Sequence, residues 1–181
     1  PAELTQVENL YGVESDGTKA EKQNLLPLGF SITYRKNRPF PHTLHLVPKT
    51  VVLGIGCKRG TEAESIRALI RETLEQNQIF KESICLIASI DLKKDEEGIR
   101  ICAEELGVPF VTWSAEELEQ VRSEDGFTES AFVRSVAGVG NVCERSALKG
   151  AGTSRLLIRK TAHNGVTVAA AVKDYTVCME D

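Results

Sequence analysis

The chain has 181 residues, 41% of them hydrophobic and 27% charged, with a net charge of −4 and a sequence pI of about 5.5. That supports one ordinary domain, or a domain with a smaller appendage, whose core needs neither disulfides nor a structural metal. The acidic balance argues against a duplex nucleic-acid binder, which normally shows a basic face, but it leaves room for a local cationic pocket facing an anionic ligand.

Residues 1–24 are polar, carry turn formers at Gly12 and Ser15-Asp16-Gly17, and read as a loose leader or the tail of a preceding region. Gly29–Tyr34 alternates apolar and polar, and Thr43–Val47 reads as a second strand ended by Pro48; with a turn at 35–39 they predict a short β-hairpin or edge segment. Val51–Gly56 is a nearly continuous apolar strand of the kind buried on both sheet faces. Thr61-Glu62-Ala63-Glu64 has the pattern of a capping box, and Ile66, Leu69, Ile70 and Leu74 give the following helix an apolar face. A strand over 84–88 comes next, then a helix capped by Asp95 and stopped by Gly107, a strand over 109–113, and a capping box at Ser114–Glu117. A short helix over 129–137 precedes one capped at Asn141 and ended by Gly150; strands at 156–158 and 166–172 flank the turn His163-Asn164-Gly165. Strand–helix alternation closing in a hairpin predicts an α/β fold, a three-layer α/β/α sandwich with a mixed sheet. The expected division is 1–49, the end of a preceding or central region, and 50–181, the α/β/α domain.

Three segments can carry chemistry. Gly54-Ile55-Gly56-Cys57-Lys58-Arg59-Gly60-Thr61 joins a buried strand to a helix start, where free N–H groups and the helix dipole suit an anion and Lys58 and Arg59 add charge. Its glycines are out of register for a dinucleotide fingerprint, and no Gly-Lys-[Ser/Thr] completes a P-loop; a tight turn with two solvated cations accounts for it equally well. Ser89-Ile90-Asp91-Leu92-Lys93 follows the next strand and therefore shares its rim, the ligand-binding edge of open α/β sheets. Asp91 can act there as a general base and Lys93 can meet a carboxylate, against the alternative of a solvated loop. Gly138-Val139-Gly140-Asn141 is a second glycine-rich helix entry, or simply a cap with close packing. Cys57 and Cys143 sit in these loops and are nucleophile candidates only if a helix terminus lowers their pKa. With Cys85, Cys102 and Cys178 they make an odd set lacking C-x-x-C spacing, which reads as free thiols in a reducing cytoplasm. His42 and His45 point to opposite faces of a strand, so no metal site is expected. No run reaches the ~18 apolar residues of a membrane helix and no signal peptide is seen; the start at Pro1-Ala2-Glu3, without Met, suggests a piece of a longer parent.

Five ordered stretches carry a resemblance: GIGCKRGT at 54–61, ASIDLKKDE at 88–96, VPFVTWSAEEL at 108–118, FVRSVAGVGNVCERSAL at 132–148 and RLLIRKTAHNGVTVA at 155–169. Residues 51–172 resemble the C-terminal domain of the cobalt-precorrin-5A hydrolase family, with a stand-alone relative, the CobE family, in the aerobic cobalamin pathway; 31–49 resemble the end of the hydrolases' central region.

The resemblance implies cobalamin biosynthesis in the cytoplasm: hydrolytic opening of a δ-lactone on a cobalt-bound tetrapyrrole, with release of acetaldehyde. It implies no cofactor of the protein's own, since cobalt arrives in the substrate. Expected partners are that anionic tetrapyrrole, the family's N-terminal domain, absent from these residues, and other enzymes of the pathway, with neither nucleic acid nor membrane. Asp91 or Glu144 is the expected base. Gly56, Cys57, Lys58, Arg59, Gly60, Ser89, Lys93, Gly138, Gly140 and Lys160 are expected to hold the substrate's carboxylates and the developing oxyanion. Two other readings stand beside this one, a non-catalytic module that binds or carries the corrin intermediate, and an unrelated phosphate- or nucleotide-binding domain built on the first loop.

Overall fold

A computed structural model describes residues 28–177; the polar leader at 1–24 and Cys178 lie outside them. The first strands, β1 (Leu28–Ile32) and β2 (His42–Leu46), make a separate two-stranded sheet. They run parallel, in register from Leu28↔His42 to Ile32↔Leu46, and so are not a hairpin. The connection explains why. Phe80 N–H donates to Tyr34 O at 2.9 Å and Lys36 N–H to Gln78 O at 2.6 Å, which draws the chain off the sheet before it re-enters in the same direction. Tyr34 packs into the main core, and His45 meets Phe80 with ring centroids 5.0 Å apart. His42 and His45 fall three apart on β2, as the alternation requires.

The main sheet has the order β5-β4-β3-β7-β6. Its strands are β3 (Val51–Cys57), β4 (Ile84–Ile90), β5 (Phe110–Trp113), β6 (Leu156–His163) and β7 (Val166–Val172). β3, β4 and β5 are parallel, while β7 is antiparallel to both β3 and β6. The mixed sheet is thus the expected one. β6 runs five residues past its expected end at 158, up to a two-residue turn in which Asn164 (φ 48°) and Gly165 (φ 80°) take the left-handed conformation of tight hairpins.

Helices cover both faces. α1 (Ala63–Gln76) and α2 (Glu97–Leu106) pack Ile66, Leu69, Ile70, Ile99 and Cys102 on Val51, Leu53, Ile55, Val166 and Val168. On the other face α5 (Cys143–Ala151) lies over β3 and β7, flanked by α3 (Ala115–Glu119) and α4 (Ala131–Ala137). Gly54 makes this approach possible, because a Cβ there would stand 1.8 Å from Cys143 O and 2.7 Å from Ala147 N. Gly150 does not end α5, as its pattern predicts. It packs inside the helix against Val52, Leu86 and Trp113, and Gly152 (φ 69°) is the cap.

The expected caps divide similarly. Ser114 makes its full capping box with Glu117, and Gly107 ends α2 in the left-handed conformation. Thr61 does not cap α1, since its hydroxyl turns back to donate to Lys58 O at 2.7 Å. Asp95 is exposed and caps nothing, because one turn of 3-10 helix (Asp91–Lys93) intervenes and α2 starts after Glu96. No helix among the described residues is long and apolar enough to cross a membrane.

Candidate functional site

Strand direction brings the expected segments to one edge. β3, β4 and β5 are parallel, so Cys57, Ile90 and Trp113 end at the same rim. Cys57 pairs with Val166, which places the 163–165 turn beside them. Gly54 lies under Cys143 and Gly56 near Val142, so α5 begins at this rim too. A groove of about 820 Å³ lies at the opposite end, between α1, α2 and the 81–83 turn, and collects none of the expected site residues.

The first loop is tied down from two sides. Lys58 N–H donates to Gly165 O at 3.1 Å, and the Lys58 stem crosses Gly165. Gly60 N–H, expected to face a ligand, donates to Glu96 Oε1 at 2.6 Å. Lys93, expected to meet a carboxylate, meets that of Glu96 at 2.8 Å. Burial works to raise the Glu96 pKa, but the Lys93 ammonium and the Gly60 amide outweigh it and hold the carboxyl below its ordinary range. Burial lifts the Cys57 thiol above its ordinary value, with only partial relief from Lys93, the reverse of an activated nucleophile. Lys58 and Arg59 are exposed, and no ion pair joins either to a described residue.

Asp91 is exposed at the rim directly after β4. Ser89 is fully buried and its hydroxyl donates to Ile55 O at 2.7 Å, so it stitches β4 to β3 and does not face the rim. Gly56 O accepts from Thr167 Oγ1 at 3.2 Å.

The second glycine-rich segment is closed. Gly138 (φ 78°) ends α4 and is not part of an entry into α5. Gly140 is overlain by Glu129, whose Oε2 would be 1.4 Å from a Cβ at that position. Glu129 bonds Arg145 at 2.9 Å and Arg134 at 3.0 Å. Buried Arg145 also donates to Leu118 O and Glu119 O, at 3.1 and 3.2 Å, and lies 4.0 Å above the Phe127 ring, which fastens the end of α3.

Glu144 is 0% exposed. Its Oε1 accepts from Lys160 N–H at 2.8 Å and Thr128 Oγ1 at 3.1 Å; its Oε2 accepts from Thr128 N–H at 2.8 Å and Asn141 Nδ2 at 2.6 Å. Asn141 Oδ1 in turn accepts from Glu144 N–H at 2.9 Å, although Asn141 stands one residue before the N-cap, Val142. A carboxylate with both oxygens so occupied and no access to solvent is placed to join segments, not to take a proton from water. Beside it, burial pushes the Cys143 thiol up to about 11. Among the described residues no cluster of three or more His, Cys, Asp or Glu is placed to hold a metal ion.

Sequence reasoning missed Glu96, Glu129, Thr128 and Arg145. Only Glu96 left a local signal, the Lys-x-x-Glu spacing from Lys93. Glu129 reaches Arg145, and Thr128 reaches Glu144, across 16 residues.

The fold and rim define an α/β/α domain with a mixed sheet and cationic and acidic groups gathered at its carboxyl edge. The chain belongs to the family described as cobalamin synthesis G C-terminus, which matches residues 51–171. It is 38% identical to the cobalt-precorrin-5A hydrolase of Salmonella typhimurium, over 74% of this chain and 37% of that protein. It is 34% identical to the same-named protein of Priestia megaterium, over 71% and 33%. The chain therefore spans about a third of the length of these hydrolases. Among solved structures, CobE, a protein from the cobalamin (vitamin B12) biosynthetic pathway, superposes with a TM-score of 0.63 at 32% identity, covering 69% of this chain and 91% of that one.

Proposed function

We propose that this chain supplies the C-terminal part of a cobalt-precorrin-5A hydrolase, acting in the cytoplasm on the δ-lactone of that tetrapyrrole with release of acetaldehyde. The family match over 51–171 carries the reading. Lys58 and Arg59 at the rim, with Lys160, offer charge-assisted hydrogen bonds to the acetate and propionate groups of such a substrate. Asp91, exposed and with its carboxylate bonded to no described residue, is the group able to take a proton from the attacking water. The oxyanion that forms on the lactone carbonyl needs a donor close by. Gly60 N–H and Lys93 are engaged by Glu96, and Glu129 covers Gly140. Lys58, Arg59 and the N–H groups near Gly56 are the donors that remain at the rim. Cobalt belongs to the substrate, and the reaction asks no metal of the protein.

A second reading is a module that binds or carries the corrin intermediate and completes a site with the N-terminal part of its parent or another pathway enzyme. It is favoured by the extent of the match, a third of the hydrolases but 91% of the solved CobE chain. The phosphate- or nucleotide-binding reading loses its main donor, Gly60 N–H, to Glu96.

The test is anaerobic acetaldehyde release from cobalt-precorrin-5A with this chain as sole protein. Release that Asp91→Ala lowers at least tenfold supports the hydrolase reading. No release, with tetrapyrrole quenching of Trp113 at the end of β5, supports the module. Neither release nor quenching sinks both.

A further inference from the structure

β6 is not a regular strand. Its pairing passes from Ile158↔Ala170 to Thr161↔Val168, so Arg159 and Lys160 together oppose Ala169. Such a bulge frees a backbone amide from the ladder and re-aims the side chains at the extra residue. Here the Lys160 N–H turns to Glu144 Oε1 at 2.8 Å, while the Arg159 guanidinium donates to Asp125 O at 3.1 Å. The bulge is therefore held by a carboxylate that is fully buried on α5. Burying a charge costs several kcal/mol before its partners repay it, and an apolar residue beneath a regular strand makes a simpler core. The arrangement fixes where Lys160 stands. Lys160 is half-buried, three residues before β6 ends at the rim. No ion pair joins it to a described residue.

We infer that Glu144 is a positioning residue: it holds the 159–160 bulge so that Lys160 presents its ammonium to a carboxylate of the bound tetrapyrrole. This rests on the tetrapyrrole reading above and assigns Glu144 a part in that site other than proton transfer. The same carboxylate bonds Thr128 and Asn141, so the segment before α4, the start of α5 and the bulge move as one unit.

The probe is uroporphyrin I, a porphyrin with an acetate and a propionate on every ring, titrated through its Soret band. The proteins are the unaltered chain, Lys160→Met, Lys160→Arg, Glu144→Gln and the double variant Glu144→Gln/Lys160→Met, each with its melting temperature. Lys160→Met is expected to weaken binding about tenfold at unchanged melting temperature and to flatten the salt dependence of Kd. Lys160→Arg is expected to recover most of that loss. Glu144→Gln is expected to weaken binding by a similar factor, and the double variant to bind no worse than Lys160→Met, because the two act through one contact. Should Glu144→Gln not fold, Thr128→Val takes its place. It removes a donor from the same Oε1, and its smaller loss is likewise expected to vanish in the Lys160→Met background. Binding by the unaltered chain with Lys160→Met equal to it, or losses that add in the double variant, overturns the inference alone. No binding by the unaltered chain overturns the tetrapyrrole reading and the inference with it.

Discussion

The glycine-bearing turns at 54–61 and 138–144 look alike in sequence and are built to opposite ends. In the first, Gly54 lets α5 settle on β3 while the chain continues outward to Lys58 and Arg59, both exposed. One carboxylate, Glu96, holds the turn through Gly60 N–H and carries Lys93 with it. In the second, Gly140 makes room for Glu129, and Glu144 gathers four hydrogen bonds out of reach of water. A glycine beside a helix start marks a close approach by an acceptor, but in both turns that acceptor belongs to the protein. The first turn differs in leaving two exposed cations outside any ion pair with a described residue.

The largest expected effect falls on the closed turn. Glu144→Ala strands the buried donors of Thr128, Asn141 and Lys160, and should lower stability by about 3 kcal/mol or more, read from the urea midpoint. A loss under about 1 kcal/mol would mean those donors find other partners. Next is Gly54→Ala, whose Cβ meets the backbone of α5 and not a movable side chain. An overpacking cost of about 1–3 kcal/mol is expected, with the near-ultraviolet signal of Trp113 altered as α5 is pushed off the sheet.

Glu96→Gln should cost less, about 1–2 kcal/mol at neutral pH, since amide and lysine lose a charged acceptor. Its sign with pH is fixed. The folded-state pKa of Glu96 lies below the ordinary value, so its contribution is complete above the ordinary carboxylate range and fades as pH falls through the lowered pKa. The stability gap between the unaltered chain and Glu96→Gln should therefore close on acidification, and a gap that widens would refute the assignment. Smallest is Lys58→Ala with Arg59→Ala, expected to change stability by less than about 0.5 kcal/mol while weakening uroporphyrin binding. A large loss of stability there would show that these cations do hold the fold.

Much of the architecture is legible in the chain. The apolar runs at 51–56 and 84–88, the face formed by Ile66, Leu69, Ile70 and Leu74, the Ser114 capping box and the turn at Asn164-Gly165 depend on neighbours a few residues apart. Strand direction did not show in the same way. The alternation at 29–34 and 43–47 reads as a hairpin or an edge segment, and the bonds to Gln78 and from Phe80 accompany a parallel pair instead of a hairpin. The site divides along the same line. That segments 57–60 and 89–93 share a rim follows from strand order, whereas 141–144 is brought there by the packing of α5 over Gly54. Which polar groups are free does not, because Glu96, Glu129 and Thr128 reach Gly60, Gly140 and Glu144 across the fold. Asp91, Lys58 and Arg59 keep their expected exposure, whereas Ser89, Lys93 and Gly138 serve the structure itself.

The irregularity at Arg159–Lys160 also bears on how copies of this molecule meet at high concentration. β6 is an outer strand of the sheet, and its eight residues would otherwise offer a straight row of unsatisfied amides and carbonyls to a neighbour. The extra residue breaks that row midway, and two cations stand at the break. A shortened β6, with one of the pair deleted, would keep only the irregularity between Leu156 and Ile158 and give a longer unbroken edge able to take on another strand. Self-association rising with concentration would be its sign.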